Sequence, residues 1–333
     1  MMSSVATVDT PAVAVRMQRY LLCFALGAAL TFLCLAGGLI GLKAAGALPP
    51  PQISNSLCID EKLNAMRSHP PQAPRLLVVG SSVAWRHFNS AEAVSIDPLI
   101  RPYNAGFCGA KISQTARVAS WLSNRLSTVR HVVLVASPFD FEKCRGDETS
   151  QFDIKDADRF VFGKGSPALF YARYFDPVTL ISNARGIREN RASSASLNPL
   201  VQNIWGDGPS EPPASRGLHY GSVRELDDSC FASLHEMAVG LEARGIAFDV
   251  ALMPMQLEWN RLFGEPRLLH ELEGKAKGAL AGTQARLHVS FIRMPETAYF
   301  DAMHLRWSST PAFTRAVLRE VGASPHLPAP VRR

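Results

Sequence analysis

The sequence predicts an α/β domain, with helices on both faces of a mostly parallel sheet, behind one N-terminal transmembrane helix. Three observations carry this. Continuous apolar runs of strand length at Arg75–Val79, His131–Ala136 and Ile246–Met253 alternate with helical stretches, and unbroken apolar runs mark strands buried on both faces. Tyr20–Leu42 is 23 residues without a charge; at 1.5 Å per residue such a helix is roughly 34 Å long, enough to cross a bilayer core. Finally, 333 residues, 47% hydrophobic and 19% charged, exclude a disordered chain, a collagen-like repeat and a disulfide mini-protein.

Taken in order, residues 1–19 form an N-terminal tail and residues 20–42 the anchor. Arg16 and Arg19 directly precede the apolar run and Lys43 follows it, so the positive-inside rule favours a cytoplasmic N-terminus and an exported C-terminal domain. The expected topology is single-pass with an extracytoplasmic domain, which in a bacterium is an inner-membrane protein with a periplasmic domain. Ala45-Gly46-Ala47 offers a small-residue cleavage pattern, but the run exceeds the core of about 7–15 residues usual in a signal peptide, so a retained anchor is expected. Small residues from Gly27 to Gly41 fit either ordinary anchor composition or close packing against another membrane helix. Residues 43–72 read as a linker: Pro49-Pro50-Pro51 begins an extended spacer, and Ser56–Arg67 has the pattern of a short amphipathic helix.

The domain proper spans residues 73–322. Its first strand ends at Gly80. Ile112–Leu126 is a helical stretch leading to the second run, and Leu226–Arg244 is a helix ended by Gly245 before the third. Val289–Ile292 is the expected last strand and Ser309–Val321 the closing helix. Residues 147–222 are rich in Ser, Asn, Gly, Pro and Arg, and read as a loop-rich insertion that either shapes a binding face or is a surface excursion. Residues 323–333 form a C-terminal tail.

The net charge is +6, with 27 Arg and 8 Lys, but no dense basic run or basic–aromatic stripe occurs. No nucleic-acid partner is expected. None of the six cysteines forms a C-x-x-C pair, so no metal and no cofactor is expected. Cys58, Cys108, Cys144 and Cys230 lie beyond the anchor; they are either buried thiols or up to two disulfides, with three pairings open. Gly163-Lys164-Gly165-Ser166 lacks the spacing and preceding strand of a phosphate loop.

The chemistry concentrates at the two ends of the domain. Val79-Gly80-Ser81-Ser82 puts two serines just past a buried parallel strand, at the sheet edge where α/β folds bind ligands. Read alone, either serine could simply cap a helix. Near the C-terminus stands Asp301-Ala302-Met303-His304. A serine hydroxyl is a weak nucleophile and needs a base; a histidine can take its proton near neutral pH, and a carboxylate three residues earlier on a turn can orient that imidazole.

These blocks resemble the SGNH (GDSL-type) hydrolases. Gly80-Ser81-Ser82 looks like the family's first block, with Ser81 where many members have Asp and Ser82 at the nucleophile. Asn104-Ala105-Gly106-Phe107-Cys108-Gly109 resembles the second block, and Asp301–His304 matches the last. The resemblance spans about residues 73–321 but rests on these short blocks. It implies a three-layer α/β/α sandwich with a flavodoxin-like sheet, a Ser82–His304–Asp301 triad, and an oxyanion hole from the Ser82 and Gly109 N–H groups. The third block departs: the strand runs into Ser137-Pro138-Phe139-Asp140, with Phe139 where the family has an oxyanion-hole Asn, and Asp140 is expected to be structural. This block, the G-S-S block and the anchor resemble the branch that includes proteins of alginate and peptidoglycan O-acetylation and of teichoic-acid D-alanylation. That branch implies an acylated carbohydrate polymer as substrate and a membrane acyl-donor protein as partner. The α/β-hydrolase pattern G-x-S-x-G is set aside, because Ala84 stands at its last position and the serine follows the first strand.

The expected function is a membrane-anchored esterase or acyltransferase acting on O-acyl, chiefly acetyl, esters of envelope polysaccharide. The other reading is a non-catalytic envelope binding or assembly module, for which Phe139 is the best support. His87 is expected on a helix surface and Arg86 in solvent. Trp85, Trp259 and Trp307 are read as core or as a sugar platform, and Met253-Pro254-Met255 as the end of a strand.

Overall fold

The computed structural model describes residues 10–54, 56–146, 151–192, 197–263 and 266–322; the first nine residues and the expected tail at 323–333 lie outside the described residues. The chain divides into two compact units, Met1–Leu48 and Pro49–Arg333. In the first, α1 runs from Thr10 to Ala44, and Val15–Ala44, with mean hydropathy 2.2, is long and apolar enough to cross a membrane. The helix extends past the uncharged run at both ends because Met17, Gln18 and Arg19 favour helix and Lys43 sits in the last turn, where a cation complements the helix dipole.

Among the described residues, the second unit is built on a sheet of five parallel strands. They are β1 (Leu76–Gly80), β2 (Pro102–Asn104), β3 (His131–Ala136), β4 (Ala247–Leu252) and β5 (Arg286–His288), in the order 2-1-3-4-5. Every residue of β1 is buried, as are Val132–Ala136 of β3, as unbroken apolar runs require. In chain order the helices are α2 (Leu57–Ser68), α3 (Ser82–His87), α4 (Ser90–Ile96), α5 (Ile112–Arg125), α6 (Ile154–Phe162), α7 (Ala168–Arg173), α8 (Pro177–Ala192), α9 (Asp228–Glu242), α10 (Leu257–Leu262), α11 (Pro266–Leu280) and α12 (Thr310–Val321). Two groups flank the sheet. Helices α5, α9 and α11 pack in series, α12 packs on α3 and α4, and β1 contacts both α3 and α5.

The structure corrects the sequence reading at several places. Val289–Ile292 is not the last strand. The last strand is Arg286–His288, because buried Asp249 on β4 accepts from Arg286 Nε at 2.8 Å and from His288 Nε2 at 2.6 Å, which fixes the β4–β5 register. Strand β2 escaped notice because three residues, Pro-Tyr-Asn, carry no periodicity. The stretch 147–222 holds α6, α7 and α8 among its described residues. Residues 49–72 are no free spacer: Pro49, Pro50 and Pro51 are buried, and Leu63 and Met66 of α2 belong to the main core.

Candidate active site

Strand β1 delivers Ser81 and Ser82 to the carboxyl edge of the sheet, between β2 and β3, the switch point where the strand order reverses. Ser81 is the N-cap of α3, its hydroxyl accepting from the Val83 N–H. Ser82 is the first residue of that helix. The second block is sewn onto β1, with the Ala105 N–H donating to the Val78 carbonyl at 2.7 Å and the Phe107 N–H to the Gly80 carbonyl at 3.0 Å. It passes so close to α3 that a Cβ on Gly106 would lie 2.5 Å from the Trp85 nitrogen. Only glycine tolerates that approach.

At the other end of the chain, Asp301 and His304 occupy a tight turn. Asp301 Oδ1 accepts from the Met303 and His304 N–H groups at 3.0 and 2.8 Å. The same carboxylate lies 2.9–3.0 Å from His304 Nδ1. His304 Nε2 is 2.8 Å from Ser82 Oγ, across 222 residues of sequence. Asp301 is fully buried and His304 1% exposed. Burial alone would raise the Asp301 pKa, but the His304 hydrogen bond and charge, with the two backbone N–H groups, hold it below the usual carboxylate value. With Asp301 accepting the Nδ1–H, Nε2 is left free to take a proton from Ser82.

Ser82 opens onto a cleft of about 380 Å³ whose lining includes Gly109, Lys111, Phe139, Asp140, Tyr220 and Arg224. Gly109 has φ +64, a conformation that favours glycine. Its loop is tied to α2 by the Cys58–Cys108 disulfide, and the Glu142–Lys143 part of the lining is tied to α9 by Cys144–Cys230. Of the three pairings left open by the sequence, this is the one formed.

Phe139, at the position where the resemblance implies an oxyanion-hole Asn, lines the cleft. Its ring packs against Tyr220 and Trp259 at 5.9 and 5.6 Å between centroids. Its carbonyl accepts from Lys111 Nζ at 2.8 Å. Asp140 caps the turn after β3, accepting from the Ser137 N–H at 2.8 Å. Burial pushes its carboxyl up to about 6, against the lowering effect of the Ser137 and Ser81 hydrogen bonds and of Lys111.

Some neighbours sit elsewhere than expected. His87 is fully buried rather than on a surface, because α3 is covered by α12. Its Nε2 accepts from the Leu305 N–H at 3.0 Å, so it braces the turn that carries His304. Burial, with the charges of His304 and Arg86, pushes its pKa well below the usual value, and a neutral imidazole is what an acceptor Nε2 requires. Arg86 is buried too, its guanidinium lying 4.1 Å over the Trp85 ring and donating to the Gly208 and Asn198 carbonyls. Trp85 and Trp259 are core residues, Trp307 is half-buried, and none of them lines the cleft. Met253 and Met255 are buried just past β4 and line a separate cavity.

Sequence reasoning missed Lys111 and Tyr220. Lys111 stands two residues past Gly109 at the N-cap of α5, and that proximity was the available signal. Tyr220 carried none. Its segment closes over the site: the Asn104 N–H donates to the Trp205 carbonyl, the Arg216 N–H to the Phe300 carbonyl, and Gly217 bridges to Asp301. Fully buried Asp207 accepts from Ser90 and from Asn104 Nδ2. Of the insertion's described residues, Tyr220 and Ser222 line the cleft. No protein-family model and no curated protein matches the chain.

Proposed function

We propose that the chain is a membrane-anchored serine esterase or O-acyltransferase of SGNH type, acting through Ser82, His304 and Asp301. The observation that carries this reading is the 2.8 Å approach of Ser82 Oγ to His304 Nε2, with Asp301 on the opposite ring nitrogen. The strand order 2-1-3-4-5 and the serine at its switch point support the fold side of the resemblance. Ser82 Oγ attacks the ester carbonyl carbon while Nε2 takes its proton. The oxyanion is held by the Ser82 and Gly109 N–H groups. Nε2 then returns the proton to the leaving alkoxide as the C–O bond breaks, leaving an ester on Ser82. Water or a sugar hydroxyl, deprotonated by the same nitrogen, releases the acyl group.

The polysaccharide substrate, the acyl-donor partner and the outward orientation rest on the branch resemblance and on Arg16 and Arg19 before the span. Two disulfides in the second unit support an oxidising compartment. A second reading, a binding or assembly module without turnover, is favoured by Phe139, because one missing oxyanion donor costs about 2.7–4 kcal/mol in a protease.

Turnover of an acetyl ester decides between them. Wild type and Ser81→Ala are expected to cleave p-nitrophenyl acetate, while Ser82→Ala and His304→Ala lose at least about 10³-fold. Equal rates in all four, or a wild type no faster than buffer, would favour the binding module. Product analysis with acetylated glycans then separates hydrolysis from transfer.

A further inference from the structure

We propose that α7 and α8 form a bilayer-docking face that lays the catalytic domain against an anionic membrane surface. This rests on the membrane-span part of the reading above and not on the chemistry at Ser82. No residue of α7 is buried. Leu169, Phe175, Val178 and Ile181 fall within 13 consecutive positions, and three of them are 62–76% exposed. Exposed apolar residues grouped this densely mark an interaction site, whereas scattered ones do not.

On α8, Val178, Ile181, Arg185 and Arg188 follow at intervals of three and four, so they share one stripe. All four are exposed. The stripe is apolar at its start and basic at its end. Arginines there reach phosphate groups while their stems cover apolar surface.

The bilayer is the occupant because of where this face is tethered. The Tyr171 hydroxyl donates to the Pro49 carbonyl, and Gln52 Nε2 donates to the Asp176 carbonyl at 3.1 Å. The apolar start of α8 is thus fastened to the segment that follows the membrane-spanning helix. Pro49 comes five residues after Ala44, the last residue of that helix, and five residues reach at most about 18 Å. A face so tethered meets the lipid surface at a very high effective concentration, so weak contacts suffice.

The test uses the full chain with Cys23→Ser and Cys34→Ser, reconstituted in vesicles of phosphatidylcholine with phosphatidylglycerol. A spin label is placed by Val178→Cys or Ile181→Cys, and by Val239→Cys as an exposed control on α9. Accessibility to oxygen and to a nickel chelate is then read. Docking predicts high oxygen and low nickel accessibility at 178 and 181, and water-like values at 239. Adding Arg185→Gln with Arg188→Gln should lower the immersed-to-free ratio by about ten-fold or more, as should omitting the anionic lipid. Water-like values at 178 and 181 in a chain that resists carbonate extraction overturn docking while leaving the anchor standing. A chain that carbonate extracts overturns both. Low accessibility to both reagents means burial by a second copy of the chain, and also overturns the proposal.

Discussion

Ser82 and His304 meet although 222 residues separate them, and each of their supports is a specific hydrogen bond. Asp301 does two jobs: Oδ1 accepts the turn's backbone N–H groups, and the carboxylate faces Nδ1 of His304. Asp301→Asn keeps an acceptor for the turn but removes the anion that balances the imidazolium. It is expected to lower acetyl-ester turnover about 10³–10⁴-fold with little loss of Tm. Phe139 offers the converse experiment. Asn at that position would supply a donor, so Phe139→Asn should raise kcat by about ten-fold or more while Phe139→Ala does not; equal rates would remove the oxyanion explanation of this block. The meeting of Ser82, His304 and Asp301 was legible in the sequence because a glycine-flanked serine after an apolar run and a D-x-x-H before a final helix are local patterns. Lys111, Tyr220 and the bracing role of His87 were not, because each is defined by what folds over it.

At the scale of elements, β1, β3 and β4 were legible as continuous apolar runs, while β5 was hidden because a buried charge positions it. Asp249 is fully buried, and His131, Arg286 and His288 converge on it. Burial would raise its pKa, but these partners hold it well below the usual carboxylate value. Its stabilisation is therefore present above about pH 4 and lost as pH falls further. Asp249→Ala leaves three donors without their acceptor and should cost about 3 kcal/mol near neutral pH, read from denaturant unfolding. Asp140 has the opposite sign. Its folded pKa is raised from 3.8 to about 6, so its favourable contribution is complete below about pH 4 and is lost as pH rises through 6, a change of about 3 kcal/mol. Asp140→Asn should flatten the decline in stability between pH 4 and pH 8; an unchanged pH dependence would contradict a buried carboxyl there.

For the molecule as a whole, an N-terminal helix long and apolar enough to cross a membrane and the α/β class followed from composition and periodicity, but the wiring around the cleft did not. Cysteine spacing left three pairings open, and a Ser- and Pro-rich segment gave no sign that its later part closes the site. Both disulfides anchor cleft walls, and Cys23 and Cys34 remain free in α1. Maleimide labelling of the denatured chain should therefore find two thiols without reductant and six after reduction. Six in both cases would argue for a reducing compartment. Reduction before refolding is expected to remove up to about 4 kcal/mol per bridge and to loosen both walls.

Catalysis through Ser82 is tested most directly by a serine-reactive fluorophosphonate, with the adduct located by peptide mass spectrometry. The wild-type chain should carry one phosphonyl group on Ser82, formed faster near neutral pH than in acid. Labelling should be abolished by Ser82→Ala, nearly abolished by His304→Ala and retained in Ser81→Ala. An unlabelled wild type, or an adduct that survives Ser82→Ala, would contradict the assignment.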